Sequence, residues 1–311
     1  MNPRSERSSA PEDASTADVA GPAKSILGRP AVRRKLRAQA SSAWRHALLI
    51  GVALAFMLPF VWMVISALKP NDMVFSQPIQ WWPSPPRWSN FQEVINYPRF
   101  PFFRLLWNSI FFAGTVTLGT VVSCAAVAYG FARLRFPGRD LLFSITVGTL
   151  MIPTIVTFIP TFILFKALGQ LGTYVPLIVP KFFGDAFFIF MMRQFYLSLP
   201  MELADAARVD GANEFRIFWQ IMLPLVRPAL LVMAVFMFLW TWNDFFGPLV
   251  YLSDTSQFPL TLGLYAFRAQ RDTYWGLLMA AATLTTLPLV LVFFVGQRYF
   301  VEGVKLTGTK G

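Results

Sequence analysis

Cysteine and histidine are nearly missing from this chain of 311 residues: it has one of each, Cys124 and His46. A single thiol excludes an internal disulfide, and the two side chains together cannot supply a clustered soft-ligand metal site. Charge is also scarce, at 14% Asp, Glu, Lys and Arg, where soluble domains carry about 25%. No GxxxxGK[ST] phosphate loop occurs, so the chain lacks the usual nucleotide cradle. A membrane-embedded enzyme would need a catalytic constellation. Neither a His cluster, nor paired carboxylates, nor a Gly-x-Ser-x-Gly elbow appears.

What is abundant is apolar sequence, 55% of the chain, gathered into six long runs at about 44–68, 105–132, 141–168, 174–196, 224–252 and 275–299. Each is long enough for a bilayer, which takes roughly 20 residues. In lipid the backbone must satisfy itself, so each run is expected to be helical. Residues 1–43 are rich in Ser, Ala, Pro and Arg and have no apolar period, which predicts a disordered basic cytoplasmic tail. The first apolar run is too long for a cleaved leader and reads as an uncleaved first helix. Pro59, Pro153, Pro160, Pro176, Pro180, Pro248 and Pro288 fall within the runs, as packing irregularities or as hinges.

The net charge of +11 raises nucleic acid as a partner. The basic residues sit mainly at the ends of apolar runs, however, which fits membrane topology and a lipid surround instead. With the N-terminus inside, nineteen Lys and Arg fall on the inner side and six on the outer, while Lys166 and Lys181 lie within spans. Both termini are therefore expected in the cytoplasm of a multi-pass cell-membrane protein. The loop 69–104 then lies outside, with Trp81, Trp82 and Trp88 suited to an interfacial aromatic belt or to sugar stacking.

One inner loop, residues 201–228, reads MELADAARVDGANEFRIFWQIMLPLVRP. Ser198 is positioned to cap a helix whose first turn holds Pro200 and Glu202. Leu203, Ala206 and Ala207 are expected on one face, the alanines permitting close approach. Gly211 ends the helix through a left-handed turn, and Asn213 caps a second short helix with Phe215, Phe218, Trp219 and Met222. Such a segment suits either an interfacial helix on the membrane or a docking helix in a partner's groove.

The pattern Glu202-Leu203, Asp205-Ala206-Ala207, Asp210-Gly211-Ala212, Phe218, Ile221, Leu223-Pro224-Leu225, Pro228 resembles the EAA loop of ABC importer permeases, in the wording of the carbohydrate-uptake branch. Asp205 stands where that family has Glu, keeping the charge on a shorter side chain. Asn108-Ser109, the 125–133 segment, Arg193-Gln194-Phe195, Trp242-Asn243 and the run Gln297 to Gly303 are similar to positions of maltose-permease G-like subunits. The resemblance covers about residues 44–311. It implies an all-α polytopic fold of six transmembrane helices, the MetI-like permease fold, with coupling helices between spans four and five.

The same resemblance implies a division of labour. A second homologous permease completes the pore, two ATPase subunits bind ATP and Mg, and an extracytoplasmic solute-binding protein delivers sugar. This chain itself would bind no cofactor and would not hydrolyse ATP. Glu202, Asp205, Ala206, Ala207, Asp210, Gly211, Leu223 and Pro224 would form the ATPase-docking loop. Within the spans, polar groups are costly and often functional. Trp240, Asn243 and Asp244 in the fifth span are candidates for the substrate pathway. Lys181 and Asp185, spaced i,i+4 in the fourth, line that pathway or neutralise each other as a structural pair. Within the same superfamily, glycerol phosphate or a polyol is an alternative cargo. A stand-alone secondary transporter would show inverted repeats, and none is visible.

Overall fold

The computed structural model describes the backbone of residues 28–268 and 273–308 and the side chains of 44–268 and 273–297. Residues 1–27, Arg271 and the side chains of the 298–303 motif lie outside the described residues. The chain divides into two compact units, Met1–Leu58 and Pro59–Gly311.

In the first unit the described backbone is helical throughout, part of α1, Gly28–Ala67. The helix begins inside the segment expected to be a disordered tail. The local run RRKLRAQA is built of strong helix formers, and Pro30 falls in the first turn, where its missing donor costs nothing. From Trp44 to Leu58 the side chains are exposed and almost entirely apolar, as a lipid-facing segment requires.

The second unit holds the remaining elements: α2 Ser89–Ile95, α3 Phe102–Arg133, α4 Arg139–Gly148, α5 Thr154–Ala167, α6 Val175–Ile178, α7 Ala186–Ser198, α8 Glu202–Val209, α9 Glu214–Arg216, α10 Leu223–Leu225, α11 Arg227–Trp242, α12 Phe246–Tyr251, α13 Leu260–Gly263 and α14 Trp275–Gly308. No strand occurs among the described residues; an isolated bridge joins Arg268 to Thr273. Four helical stretches are long and apolar enough to cross a membrane: Trp44–Ala67, Phe102–Arg133, Val175–Ser198 and Trp275–Gln297. Two bent pairs raise the number to six if each is one span.

The bends have covalent causes. Arg139–Met151 and Thr154–Ala167 meet at 100°. Ile152, forced out of the helical region by Pro153, is extended at φ −82 and ψ 117, and Pro153 itself has no amide to donate. Glu214–Leu225 and Arg227–Trp242 meet at 77° around Val226, flanked by Pro224 and Pro228. The fifth apolar run is therefore not the continuous helix expected over 224–252. Helix α11 stops at Trp242, and α12 begins only at Phe246.

Helix α3 is the spine of this unit. Ala113, Ala125, Ala128 and Ala132 on it are buried, so α7 and α11 approach its backbone closely, the usual solution for helices in lipid. Gly119 marks one tight point: a Cβ there would stand 2.6 Å from the Phe182 ring. Around one end of α3, Tyr129, Phe188, Met192, Tyr196, Met222 and Met233 form one core. Around its other end, Phe100, Leu105, Trp242, Leu260, Phe267 and Ala280 form a second. The Trp242 indole donates to the Thr285 carbonyl at 3.2 Å, tying α11 to α14. At that second end the Asn108 amide donates to the carbonyls of Ser256 and Phe258 at 2.9 and 3.0 Å. The Ser109 hydroxyl accepts from the Leu260 amide at 2.7 Å.

Candidate functional site

Two arrangements hold the residues singled out from the sequence. The first is the loop between α7 and α11. Helix α7 ends at Ser198, whose hydroxyl donates to the Phe195 carbonyl at 2.7 Å, so Ser198 does not cap α8 as expected. Leu199 precedes a proline and is extended, at φ −79 and ψ 146, which separates the two helices. Pro200 thus ends α7 and lies outside α8, whose N-cap position is Met201, with no side-chain cap.

The C-terminus of α8 is closed as a Schellman motif. Gly211 takes φ +79, its amide donates to Arg208 O at 3.0 Å, and the Ala212 amide donates to Ala207 O at 2.9 Å. A side chain at position 211 would meet no neighbour; the left-handed backbone alone selects glycine. Asn213 then caps the next turn, its carboxamide oxygen accepting from the Arg216 amide at 2.8 Å, as expected of an N-cap residue. From Ile217 to Met222 the backbone winds as a π-helix, and Ile217 and Met222 are buried.

The faces of α8 fall differently from the expectation. Ala204 and Ala207 are buried in the core around Tyr129, while Leu203 and Ala206 are exposed. Residues 203, 206 and 207 do not share one surface, because the two core alanines sit three apart and turn Leu203 and Ala206 outward. Glu202, Asp205, Asp210 and Pro224 are exposed, and Leu223 is half-buried. Val209, Phe215 and Trp219 join Leu203 in the loop's exposed apolar surface.

A polar ladder fixes α8 to α3. The Tyr129 hydroxyl donates to Glu214 Oε2 at 2.7 Å, Arg208 Nε donates to Glu214 Oε1 at 2.8 Å, and another Arg208 nitrogen donates to Asp205 Oδ1 at 2.6 Å. The carboxylates of Glu214 first and Asp205 second hold the Arg208 guanidinium above its ordinary pKa. Next to this ladder the buried Arg133 donates to the last carbonyls of α7, at Leu199 O over 2.7 Å and at Tyr196 O. Its charge meets the negative end of that helix. A cavity of about 570 Å³ lies alongside, lined by Arg133, Arg135, Met201, Asp205, Arg208 and Glu214.

Sequence reasoning missed Tyr129, Arg133, Arg208 and Glu214 as parts of the loop's support. The i,i+3 spacing of Asp205 and Arg208 was a usable signal. Tyr129 and Glu214, 85 positions apart, meet only through the packing of α3.

The second arrangement is a cleft where α11 ends. Lys181, Trp240 and Asp244 line one cavity of about 250 Å³ together with Phe112, Met237 and Thr241. Lys181 and Asp185 do not share a continuous helix: Gly184 breaks it at φ +98. Asp185 is the N-cap of α7 and accepts from the Phe187 amide at 3.1 Å. The pair nevertheless forms an ion pair at 3.7 Å. Asn243 and Asp244 lie in the break after Trp242 rather than in mid-helix. Asn243 turns away, its amide donating to Leu239 O at 2.8 Å, and does not line the cleft. Asp244 Oδ1 accepts from the Gly247 amide at 3.0 Å. A Cβ on Gly247 would lie 2.6 Å from Asp244 Oδ2, so glycine is what lets the carboxylate sit there. Among the described residues no cluster of His, Cys, Asp and Glu could hold a metal ion.

The second unit is thus an all-helical body with bent candidate spans and a Schellman-closed polar loop laddered to its central helix. Residues 120–306 match the family model of the binding-protein-dependent transport system inner membrane component, and the chain belongs to that family. It is 32% identical over 282 residues to the Bacillus subtilis "Probable ABC transporter permease protein YurM", covering 90% of this chain and 91% of that one. The sn-glycerol-3-phosphate transport system permease protein UgpE of Yersinia enterocolitica is 33% identical over 265 residues, 83% of this chain and 94% of its own. In fold, the chain resembles a subunit of a bacterial ABC transporter involved in the import of the acidic polysaccharide alginate. The TM-score is 0.73 at 23% identity, over 85% of this chain and 98% of that one. The chain is thus an ABC transporter permease with the MetI-like fold, a component of the membrane.

Proposed function

We propose that this chain forms half of the translocation pore of an ATP-driven carbohydrate importer and couples to its motor through residues 201–228. The observation that carries the reading is the loop's construction. Its underside is anchored to α3 by the Tyr129–Glu214–Arg208–Asp205 ladder, while Leu203, Ala206, Val209, Phe215 and Trp219 stay exposed. A rigid element with an apolar outer surface and a firm link to the spine is suited to docking in a partner's groove. Glu202, Asp205 and Asp210 supply polar rim contacts, and Gly211 sets the turn. Ala207 serves the anchored side, and Leu223 and Pro224 lead into the bend before α11.

In this reading both termini are cytoplasmic and the loop faces two ATPase subunits, which carry the ATP and Mg. The chain needs no cofactor of its own and is not itself an enzyme. A second homologous permease completes the pore. An extracytoplasmic solute-binding protein meets the opposite side, at the segment 253–274, whose residues 256–260 Asn108 and Ser109 brace against α3. Closure of the ATPases moves α8, and the ladder passes the movement to α3 as a rigid-body switch. The names of the relatives support two cargo classes: the alginate importer supports a saccharide, and UgpE supports glycerol phosphate. The aromatic and hydroxyl-accepting groups of the cleft favour the saccharide.

The test is reconstitution of the chain with the partner permease, the ATPases and the binding protein in proteoliposomes. Sugar uptake that requires ATP and all four components is expected. Gly211→Leu should insert and assemble but lose uptake. Uptake by this chain alone, without ATP, would sink the reading.

A further inference from the structure

The segment between α1 and α2 projects three indoles that neither the docking loop nor the cleft employs. Trp81, Trp82 and Trp88 are all exposed, Trp82 at 70%. Among the described residues none of the three indole N–H groups donates to a protein acceptor. Ile79, Gln80, Ser84 and Arg87 around them are exposed as well, so apolar rings alternate with polar groups on this surface.

The level of the segment is set against two candidate spans. Trp81 meets Trp62 edge to face, with ring centres 5.5 Å apart. Trp62 lies before the end of the span Trp44–Ala67, about 7.5 Å back along the axis at 1.5 Å per residue. The Arg87 amide donates to Leu68 O at 2.8 Å. The Asn90 side-chain amide donates to Ala67 O and Lys69 O at 2.8 and 2.9 Å. These bonds fold the segment back onto the end of α1. Helix α14 starts at the same level: a Cβ on Gly276 would stand 2.7 Å from Lys69 O, and Phe75 meets Trp275 edge to face at 4.9 Å. The indoles therefore stand where two spans end, and Trp81 reaches back beside the last turns of one of them.

A rigid apolar ring with a free N–H donor matches the boundary layer of a bilayer, where the ring meets acyl chains and the N–H finds headgroup oxygens or water. Dry helix contacts in lipid are built differently, from small residues that let backbones approach. We propose that residues 79–88 form an interfacial lipid anchor: the segment lies in the headgroup layer beside the end of α1, with Trp81, Trp82 and Trp88 set into the boundary with the acyl chains. Of the two uses the sequence allows, aromatic belt or sugar stacking, this selects the belt, and it does not depend on the cargo. Charge gives no preference among lipids. From residue 69 to 95 the ionisable groups are Lys69, Asp72, Arg87 and Glu93, two of each sign. The Lys69 ammonium lies over the Trp62 ring at 4.4 Å, and Arg87 pairs with Glu93 at 2.8 Å. The anchor recognises the amphipathic interface itself, not an anionic headgroup.

The test is tryptophan fluorescence of the full chain in phosphatidylcholine vesicles, taken as wild type minus Trp82→Phe, which isolates one indole of the ten. Phosphatidylcholine brominated near the glycerol end or near the tail end of its acyl chains quenches at two depths, and aqueous iodide quenches from solvent. The expected difference emission is blue-shifted, quenched more by the shallow bromine than by the deep one, and little affected by iodide. Mixing phosphatidylglycerol into the vesicles, or co-reconstituting the partner permease, should leave that pattern unchanged. Emission of a water-exposed indole, quenched by iodide and not by brominated lipid, overturns the proposal; protection of that emission by a neutral oligosaccharide would assign the rings to sugar stacking instead. Stronger quenching by the deep bromine overturns the interfacial depth. Loss of lipid quenching when the partner permease is added makes the surface a subunit interface and overturns the anchor. Quenching that appears only with phosphatidylglycerol overturns its indifference to charge. If Trp82→Phe does not insert, Trp88→Phe is read in the same way.

Discussion

Tyr129→Phe removes one oxygen atom and with it the hydrogen bond that joins α3 to the polar loop. The bond runs 2.7 Å to Glu214 Oε2, and no other hydroxyl is altered. A hydrogen bond to a charged group contributes about 1.5–3 kcal/mol. The lower end applies here, because Glu214 keeps its second bond, to Arg208 at 2.8 Å. The Arg208–Glu214 pair is itself partly exposed, with side chains at 34% and 42%, so its own share is about 0–1 kcal/mol. Losing about 1.5 kcal/mol from the link shifts the balance between an attached and a detached α8 about tenfold. The assay is solute transported per ATP hydrolysed in the reconstituted complex. A fall approaching tenfold is expected while ATP hydrolysis continues, since the motor is not touched. Glu214→Gln leaves Tyr129 a neutral acceptor and sets an amide NH2 against Arg208, so it weakens both rungs and should lose at least as much. Wild-type stoichiometry in Tyr129→Phe would refute the ladder as the transmission element. Wild-type stoichiometry in Glu214→Gln would remove Glu214 and its pair with Arg208 from the link.

Other substitutions follow from the same geometry. Asn108→Ala deletes two part-buried hydrogen bonds to Ser256 and Phe258, about 1–3 kcal/mol in total. It should raise proteolytic cutting within 253–260 on the intact protein. Gly119→Leu places a side chain where a Cβ already stands 2.6 Å from the Phe182 ring. Overpacking of about 1–3 kcal/mol or more should lower the thermal unfolding temperature of the purified chain by several degrees. Gly211→Ala has open space but keeps the φ of +79, so a cost of about 1–2 kcal/mol should appear as partial uncoupling, milder than in Gly211→Leu. Asp254 is held below the usual carboxylate range by the Ser256 hydroxyl and amide. Its contribution is present above its ordinary pKa and fades as pH falls through the depressed value. Ser256→Ala should therefore move the Asp254 titration up toward the ordinary carboxylate value, read from the carboxyl chemical shift against pH.

The one-dimensional pattern determined a good deal. Scarce charge and long apolar runs require helices in lipid, because only a helix satisfies its own backbone there. The glycine at 211 and the asparagine at 213 act through local backbone geometry, so their roles as stop and cap were legible before any fold was known. The motif residues Asn108 and Ser109 were visible as a resemblance, but their work of bracing the 253–260 segment appeared only in three dimensions. What tertiary structure decided is everything that depends on which face meets which neighbour. Ser198 lost its expected capping role because Pro200 extends the residue before it. Ala206 and Ala207 parted company because α8 lies on the core around Tyr129. The fifth span broke at Trp242, which moved Asp244 from a helix interior to the floor of a cleft and set it beside Trp240 and Lys181. Local propensity sets where a helix can start and stop. The approach of α3, with its small side chains, sets which distant residues meet, and no spacing along the chain encodes that.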